Sequence, residues 1–374
     1  MFFGAVTIPY FTQLANVNFT QAFFTQSWFQ FWIFLMEIPM GVVADKLGRK
    51  KSVAIGILLF GVDMFIWSFF PFYNSLLIGE FIGATGFALI SGADVSLIYD
   101  ILKHEKREKQ ARKVFSKYEI FSGLGRIIGL TLGSLSVGLM IWPYPRNLAF
   151  PFFLSGIVMF ISFLITLFIK EPKRVTPEEN PIQLGILGLK KLFTNKSLRT
   201  VSIFFVLFSA FTFFIYWLYQ PLVGNIGIEV KYYGLVSGGF NLFGILLLTQ
   251  TEFISNKIKG RKFFILLTLL SSCLYFSLTA ITNPVFVIAG IFFLAGSRAI
   301  IIPIFRYFAN KKIESKNRAT VLSSINMLEK ILMVILYPIV GRLMDVSLQT
   351  TLIMLGFLTL IIPFFVRIKD EMFD

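Results

Sequence analysis

Apolar stretches of about 20 residues, the length an α-helix needs to cross a bilayer, recur along the whole of this chain with only short polar breaks between them. They are expected near residues 1–15, 22–43, 51–71, 75–99, 118–141 and 147–169, then near 199–223, 232–253, 262–282, 284–308, 319–340 and 348–366. In lipid a helix satisfies its own backbone hydrogen bonds, so repeated apolar runs of this length fold as spanning helices. Composition supports the same class: 56% of residues are hydrophobic and only 15% charged, which excludes a soluble globular protein. The expected fold is therefore an all-α membrane protein with 12 transmembrane helices. The first of them, Met1 to Ala15, is short for a full crossing and lacks a basic lead. It is either half a helix or the later part of one that starts upstream.

A net charge of +15 raises the question of nucleic acid, and its distribution answers it. Of the 35 basic residues, 28 fall in alternate inter-span segments: Lys46 to Lys51, Lys103 to Lys117, Lys170 to Arg199, Lys257 to Lys262, Lys311 to Arg318, and Arg367 with Lys369. Basic loops stay cytoplasmic, so both termini are expected inside a cytoplasmic membrane, and no nucleic-acid partner is expected. The lone cysteine, Cys273, can form no intramolecular disulfide and reads as packing.

The first basic loop carries the most specific motif. Residues 41–50 read GVVADKLGRK, and Gly41, Asp45, Lys46, Gly48, Arg49 and Lys50 all fall on the pattern GxxxD(K/R)xGR(K/R). A small residue at 41 would permit close helix approach, Gly48 a tight reversal, and cations would sit at the negative end of a helix dipole. The pattern is the loop signature between spans 2 and 3 of the major facilitator superfamily, and the chain resembles that family. The resemblance implies two pseudo-symmetric six-helix bundles and a cavity lined by spans 1, 4, 7 and 10. It further implies a cytoplasmic gating role for the six motif residues and secondary transport of a small molecule by a monomer, without cofactor or metal. A shift of 212 residues lays Gly48, Arg49 and Lys50 over Gly260, Arg261 and Lys262, a faint internal repeat of the kind transporters carry. The expected units are 1–170, a cytoplasmic linker 171–198 with an amphipathic piece at Ile182 to Phe193, and 199–374. Two family motifs are altered. The span 4 arginine motif RxxQGxG overlays Glu80 to Gly86, which reads EFIGATG, and the span 5 antiporter motif keeps Gly125, Gly129 and Gly133 without its proline.

Ionisable groups inside hydrocarbon are costly and mark functional sites by default. The candidates for substrate or proton coupling are Asp63, Glu80, Asp94, Arg126, Arg298 and Glu329, with Glu37, Glu119, Glu252 and Arg306 nearer the boundaries. Asp94 and Arg126 lie at depths that differ by about 5 Å, so a salt bridge is expected, either static or exchanging partners. Arg298 and Glu329 form the matching expectation in the second half. Asp63 and Glu80 lack a cation at matching depth and are the candidates for carrying a proton. Span 7 offers Phe211, Phe214, Trp217 and Gln220 on one stripe, a cavity wall suited to a lipophilic cation, or equally an interfacial aromatic belt.

The leading functional expectation is proton-coupled efflux of an amphipathic or drug-like compound. Proton-coupled uptake of an organic anion or nutrient is the alternative within the class, and a non-transporting scaffold or receptor the alternative outside it. No hydrolase, metalloprotease or nucleotide-binding motif is present in the sequence, so an enzyme is not expected.

Overall fold

The computed structural model describes residues 2–172, 190, 192–257, 260–313, 318–367 and 369–372. The chain divides into two compact units, Met1–Glu179 with Val230–Gly234, and Asn180–Glu229 with Leu235–Asp374. Most of the expected amphipathic piece, Ile182 to Phe193, lies outside the described residues.

The first unit opens with a short segment, Phe3 to Leu14, that changes from a 3-10 turn to α and then to a π turn. Its residues Ala5 to Phe11 are all buried. Six helices follow: α1 (Phe19–Leu47), α2 (Arg49–Phe69), α3 (Tyr73–Ile90), α4 (Ala93–His104), α5 (Ala111–Gly138) and α6 (Phe150–Thr166). A capping box starts α1, with Asn18 Oδ1 accepting from the Gln21 N–H at 2.8 Å and Gln21 Oε1 from the Asn18 N–H at 3.2 Å. The core is α2, which packs against α3 and α6, while α3 also packs against α1. Gly56 and Gly86 set the α2–α3 approach, because a Cβ on either would lie 2.6 Å from the other's carbonyl oxygen. Contact this close supplies the dispersion energy that holds helices together where lipid is as apolar as the side chains. The single span expected at 75–99 is two helices. Gly92, at φ +76°, takes the left-handed conformation that ends α3 and starts α4.

The second unit contains α7 (Lys196–Phe213), α8 (Ile215–Asn225), all but the first two residues of α9 (Tyr233–Thr249), α10 (Thr251–Lys257), α11 (Gly260–Ala280), α12 (Pro284–Lys312), α13 (Arg318–Val346) and α14 (Leu348–Phe365). Its main packed pairs are α11 with α14 and α7 with α12. Hydroxyl groups stitch them: Ser272 donates to the Gly356 carbonyl at 2.8 Å, Tyr275 to that of Phe211 at 2.9 Å, and Ser271 lies 3.1 Å from Ser297. Among the described residues ten helices are long and apolar enough to cross a membrane. The two expected spans outside that set are the short N-terminal segment and α13. The latter is 29 residues long but carries Glu329, Lys330, Arg342 and Asp345.

Candidate functional site

Two clusters of ionisable side chains lie in helices that the sequence makes apolar, one in each unit. In the first unit, Asp63 on α2 is 1% exposed and Glu80 on α3 is 5% exposed. Glu80 Oε1 accepts from Gln26 Nε2 of α1 at 2.8 Å. Asp63 is pressed against the glycine face of α3: a Cβ on Gly79 would come within 2.6 Å of its Oδ1, and one on Gly83 would overlap its Oδ2. Oδ1 is buried without a hydrogen-bond partner, and so is Nε1 of Trp67, one turn further along α2 and bordering the same glycine. Glu80 follows Gly79 directly in α3 but turns to Gln26 of α1, so Asp63 lies at the α2–α3 contact and Glu80 at the α1–α3 contact. Among the described residues neither pairs with a cation. An aromatic cluster lies at one end of this contact, where Tyr10 donates to the Trp67 carbonyl at 2.6 Å and its ring lies 4.4 Å from that of Phe152.

The second unit pairs its charges. Arg298 Nη2 of α12 meets Glu329 Oε1 of α13 at 3.2 Å, and the Ser209 hydroxyl of α7 donates to the same oxygen at 2.8 Å. Arg298 Nε also donates to the Ser209 carbonyl at 3.3 Å. The guanidinium lies 5.0 Å from the Phe213 ring centre and 5.9 Å from that of Tyr216, within cation–π range. A cavity of about 270 Å³ opens here, with Ser209, Arg298, Arg306, Asn326 and Glu329 as its polar lining and Phe205 and Phe305 among its apolar lining. Such a space suits a small solute with both a flat apolar part and a polar group.

The basic turn after α1 is built on Gly48, whose φ of +94° is open to glycine and strained for other residues. The carboxylate of Glu171 caps the start of α2, accepting from the N–H groups of Arg49 at 2.7 Å and Lys50 at 3.2 Å. A Cβ on Gly48 would meet that carboxylate at 2.8 Å. The Arg49 guanidinium closes on Asp100 of α4, and Lys50 Nζ donates to the Leu167 carbonyl at 2.7 Å. Lys46 is exposed. The side chain of Asp45 lies outside the described residues.

Several sequence expectations need correction. Asp94 does not pair with Arg126. Its Oδ2 accepts from the Tyr118 hydroxyl at 2.7 Å, while Arg126 is exposed two turns further along α5. The break at Gly92 places Asp94 in the first turn of a new helix rather than deep in a continuous one. Gly41 permits no close approach, since a Cβ there would have nothing within 4 Å. Of the three span 5 glycines, Gly125 likewise faces open space, whereas a Cβ on Gly133 would overlap the Phe2 backbone. The stripe expected to form a cavity wall is interior packing. Phe211, Phe214 and Gln220 are buried, and Phe214 and Trp217 stack edge-on against Tyr337 at 5.5 and 6.1 Å. The face of the same span that lines the cavity holds Phe205 and Ser209. Gln26, Ser209, Asn326 and Tyr118 were not singled out from the sequence. They are uncharged, and only their spatial partners give them a role.

The family model for the Major Facilitator Superfamily matches residues 1–336. The protein named Uncharacterized MFS-type transporter YxaM of Bacillus subtilis (strain 168) is 27% identical over 249 residues, which is 63% of this chain and 58% of that protein. The quinolone resistance protein NorA of Staphylococcus aureus is 27% identical over 137 residues, 36% of this chain and 32% of NorA. Among solved structures, the nucleoside transporter NupG superposes with a TM-score of 0.79 at 15% identity, over 100% of this chain and 94% of its own. A D-xylose-proton symporter gives 0.71 at 13% identity, over 98% and 93%. At these identities the structural likeness speaks to the fold.

Proposed function

The chain belongs to the major facilitator superfamily, and from that premise we propose that it is a secondary transporter of the cytoplasmic membrane, with both termini inside, that exports a small amphipathic compound by alternating access in exchange for protons. The observation that carries the coupling half of this reading is the pair Asp63 and Glu80, buried on facing helices with Gln26 as the one polar side chain recorded against Glu80. A proton bound there neutralises charge that, among the described residues, no basic side chain pairs with. The solute half rests on the second unit's cavity, which Arg298 and Glu329 line together with Phe205 and Phe305, and on the Phe213 and Tyr216 rings that the Arg298 guanidinium lies against. Opening that pair presents both signs of charge and two aromatic faces to a ligand. Export is favoured by the stretch shared with NorA, a quinolone resistance protein. Asp94 and Arg126 have the lesser role, the first as a tie between α4 and α5.

The test is transport in proteoliposomes with a fluorescent lipophilic cation and an imposed pH gradient. The reading predicts movement of the cation against its gradient, toward the more acidic side, and loss of that movement in Glu80→Gln and Asp63→Asn. Movement in the same direction as protons would establish the uptake symporter instead. Gradient-driven transport unchanged in both variants would remove the two acids from the mechanism.

A further inference from the structure

The two halves of the internal repeat begin their third helix in the same way and then differ. In the first unit the Arg49 N–H is capped by Glu171, which follows α6, and the Arg49 guanidinium is closed by Asp100. In the second unit the backbone part recurs: the Arg261 N–H donates at 2.8 Å to Asp370 Oδ1, which follows α14. The side-chain part does not. Among the described residues no carboxylate pairs with the Arg261 guanidinium, and the shift that lays Arg49 on Arg261 carries Asp100 to Lys312, a base in place of the acid.

The space around Arg261 is a cavity of about 360 Å³ rather than a closed turn. Its cations are Arg261, Arg367 and Lys369, all exposed. Its apolar wall includes Phe204 and Phe264, each 1% exposed, and Phe364, which is 75% exposed on the outer face of α14. A soluble anion would use the cations and leave the wall idle. A lipid uses both: phosphate at the cationic rim, and an acyl chain that leaves past Phe364 into the bilayer. Basic pockets between spanning helices on the cytoplasmic side are sites of this type.

We propose that this cavity binds the headgroup of an anionic phospholipid of the cytoplasmic leaflet, with Arg261, Arg367 and Lys369 on the phosphate in the place that Asp100 fills in the first unit. The bound lipid would tie α7, α11 and α14 together at one end of the second unit. The choice of leaflet rests on the orientation given above, but binding itself depends neither on orientation nor on transport, so failure here is separable from failure there.

The experiment uses the purified full-length protein, delipidated in a neutral detergent, with thermal unfolding followed while phosphatidylglycerol, phosphatidylcholine or inorganic phosphate is added. Phosphatidylglycerol is expected to raise the midpoint saturably, and the other two to leave it in place. Loss of one cation should weaken the half-saturating lipid concentration about fivefold, and loss of all three on the order of a hundredfold. The triple variant is Arg261→Gln, Arg367→Gln, Lys369→Gln, and its control removes three cations elsewhere, Lys103→Gln, Lys106→Gln, Lys109→Gln. Should the triple variant unfold early even without lipid, the single variants Arg367→Gln and Lys369→Gln carry the test. Equal weakening in the control would replace a site with diffuse charge attraction. An equal shift with inorganic phosphate would make the ligand a soluble anion, and no shift with phosphatidylglycerol would overturn the proposal.

Discussion

Among the described residues the first unit buries two acids that pair with no base, whereas the second closes its base on an acid and adds a serine to hold the pair in place. Asp63 and Glu80 answer to Gln26 and to glycine, while Arg298 answers to Glu329, Ser209 and two aromatic rings. Asp63, Glu80 and Arg298 all sit in helices apolar enough to cross a membrane, whereas Glu329 sits on the more charged α13. The difference teaches that the two arrangements are stabilised by different physics. On the function proposed, the closed pair is a structural tie that a ligand must open, and the uncompensated acids are where charge is adjusted by a proton.

The comparison yields predictions of decreasing size. The largest concerns transport: Glu80→Gln should abolish the gradient-driven component in proteoliposomes while leaving solute exchange without a gradient, whereas Glu329→Gln should impair both. Next, Arg298→Ala leaves the partly buried Glu329 without its cation and should lower stability by about 2–3 kcal/mol. The Arg298→Ala, Glu329→Ala double variant should lose less than the sum by about 1–2 kcal/mol, read from unfolding in detergent. Gly83→Ala drives a methyl group into the Asp63 carboxyl, and a cost of about 1–3 kcal/mol is expected. Asp63→Asn, in contrast, orphans no partner and should change stability by less than about 1 kcal/mol. A larger loss would mean that Asp63 is paired after all and would erase the contrast between the units. The smallest effects lie at the basic turns, where Arg49→Gln should cost about 1 kcal/mol and Arg261→Gln less than about 0.5 kcal/mol in neutral detergent.

Much of the helix layout was legible in the chain, because a run such as Arg49–Phe69 is set by the length lipid demands and ends where charge or a turn residue appears. The Arg298–Glu329 pair was legible too, since opposite charges at matching depth have few other partners in hydrocarbon. Asp94 was misread for a local reason: Gly92 breaks the span, and depth counted along a continuous helix no longer applies. Tyr118, Gln26 and Ser209 escaped because an uncharged polar group in an apolar helix leaves no one-dimensional sign of what it faces. Gly41 and Gly125 show the reverse error, in which a spacing that permits close packing occurs where no helix approaches. The span 7 stripe is buried against the second unit's own helices. Periodicity locates a face of the helix but does not say what it turns to, and in the second unit's cavity it is Phe205 and Ser209 of the same span that form part of the lining.

The most direct measurement of the central claim is proton release on ligand binding, followed with a pH-sensitive dye in weakly buffered detergent solution as a lipophilic cation is added to the purified protein. The account predicts release by the wild-type protein that disappears in the Asp63→Asn, Glu80→Gln double variant even though the cation still binds. Equal release by both proteins would contradict it.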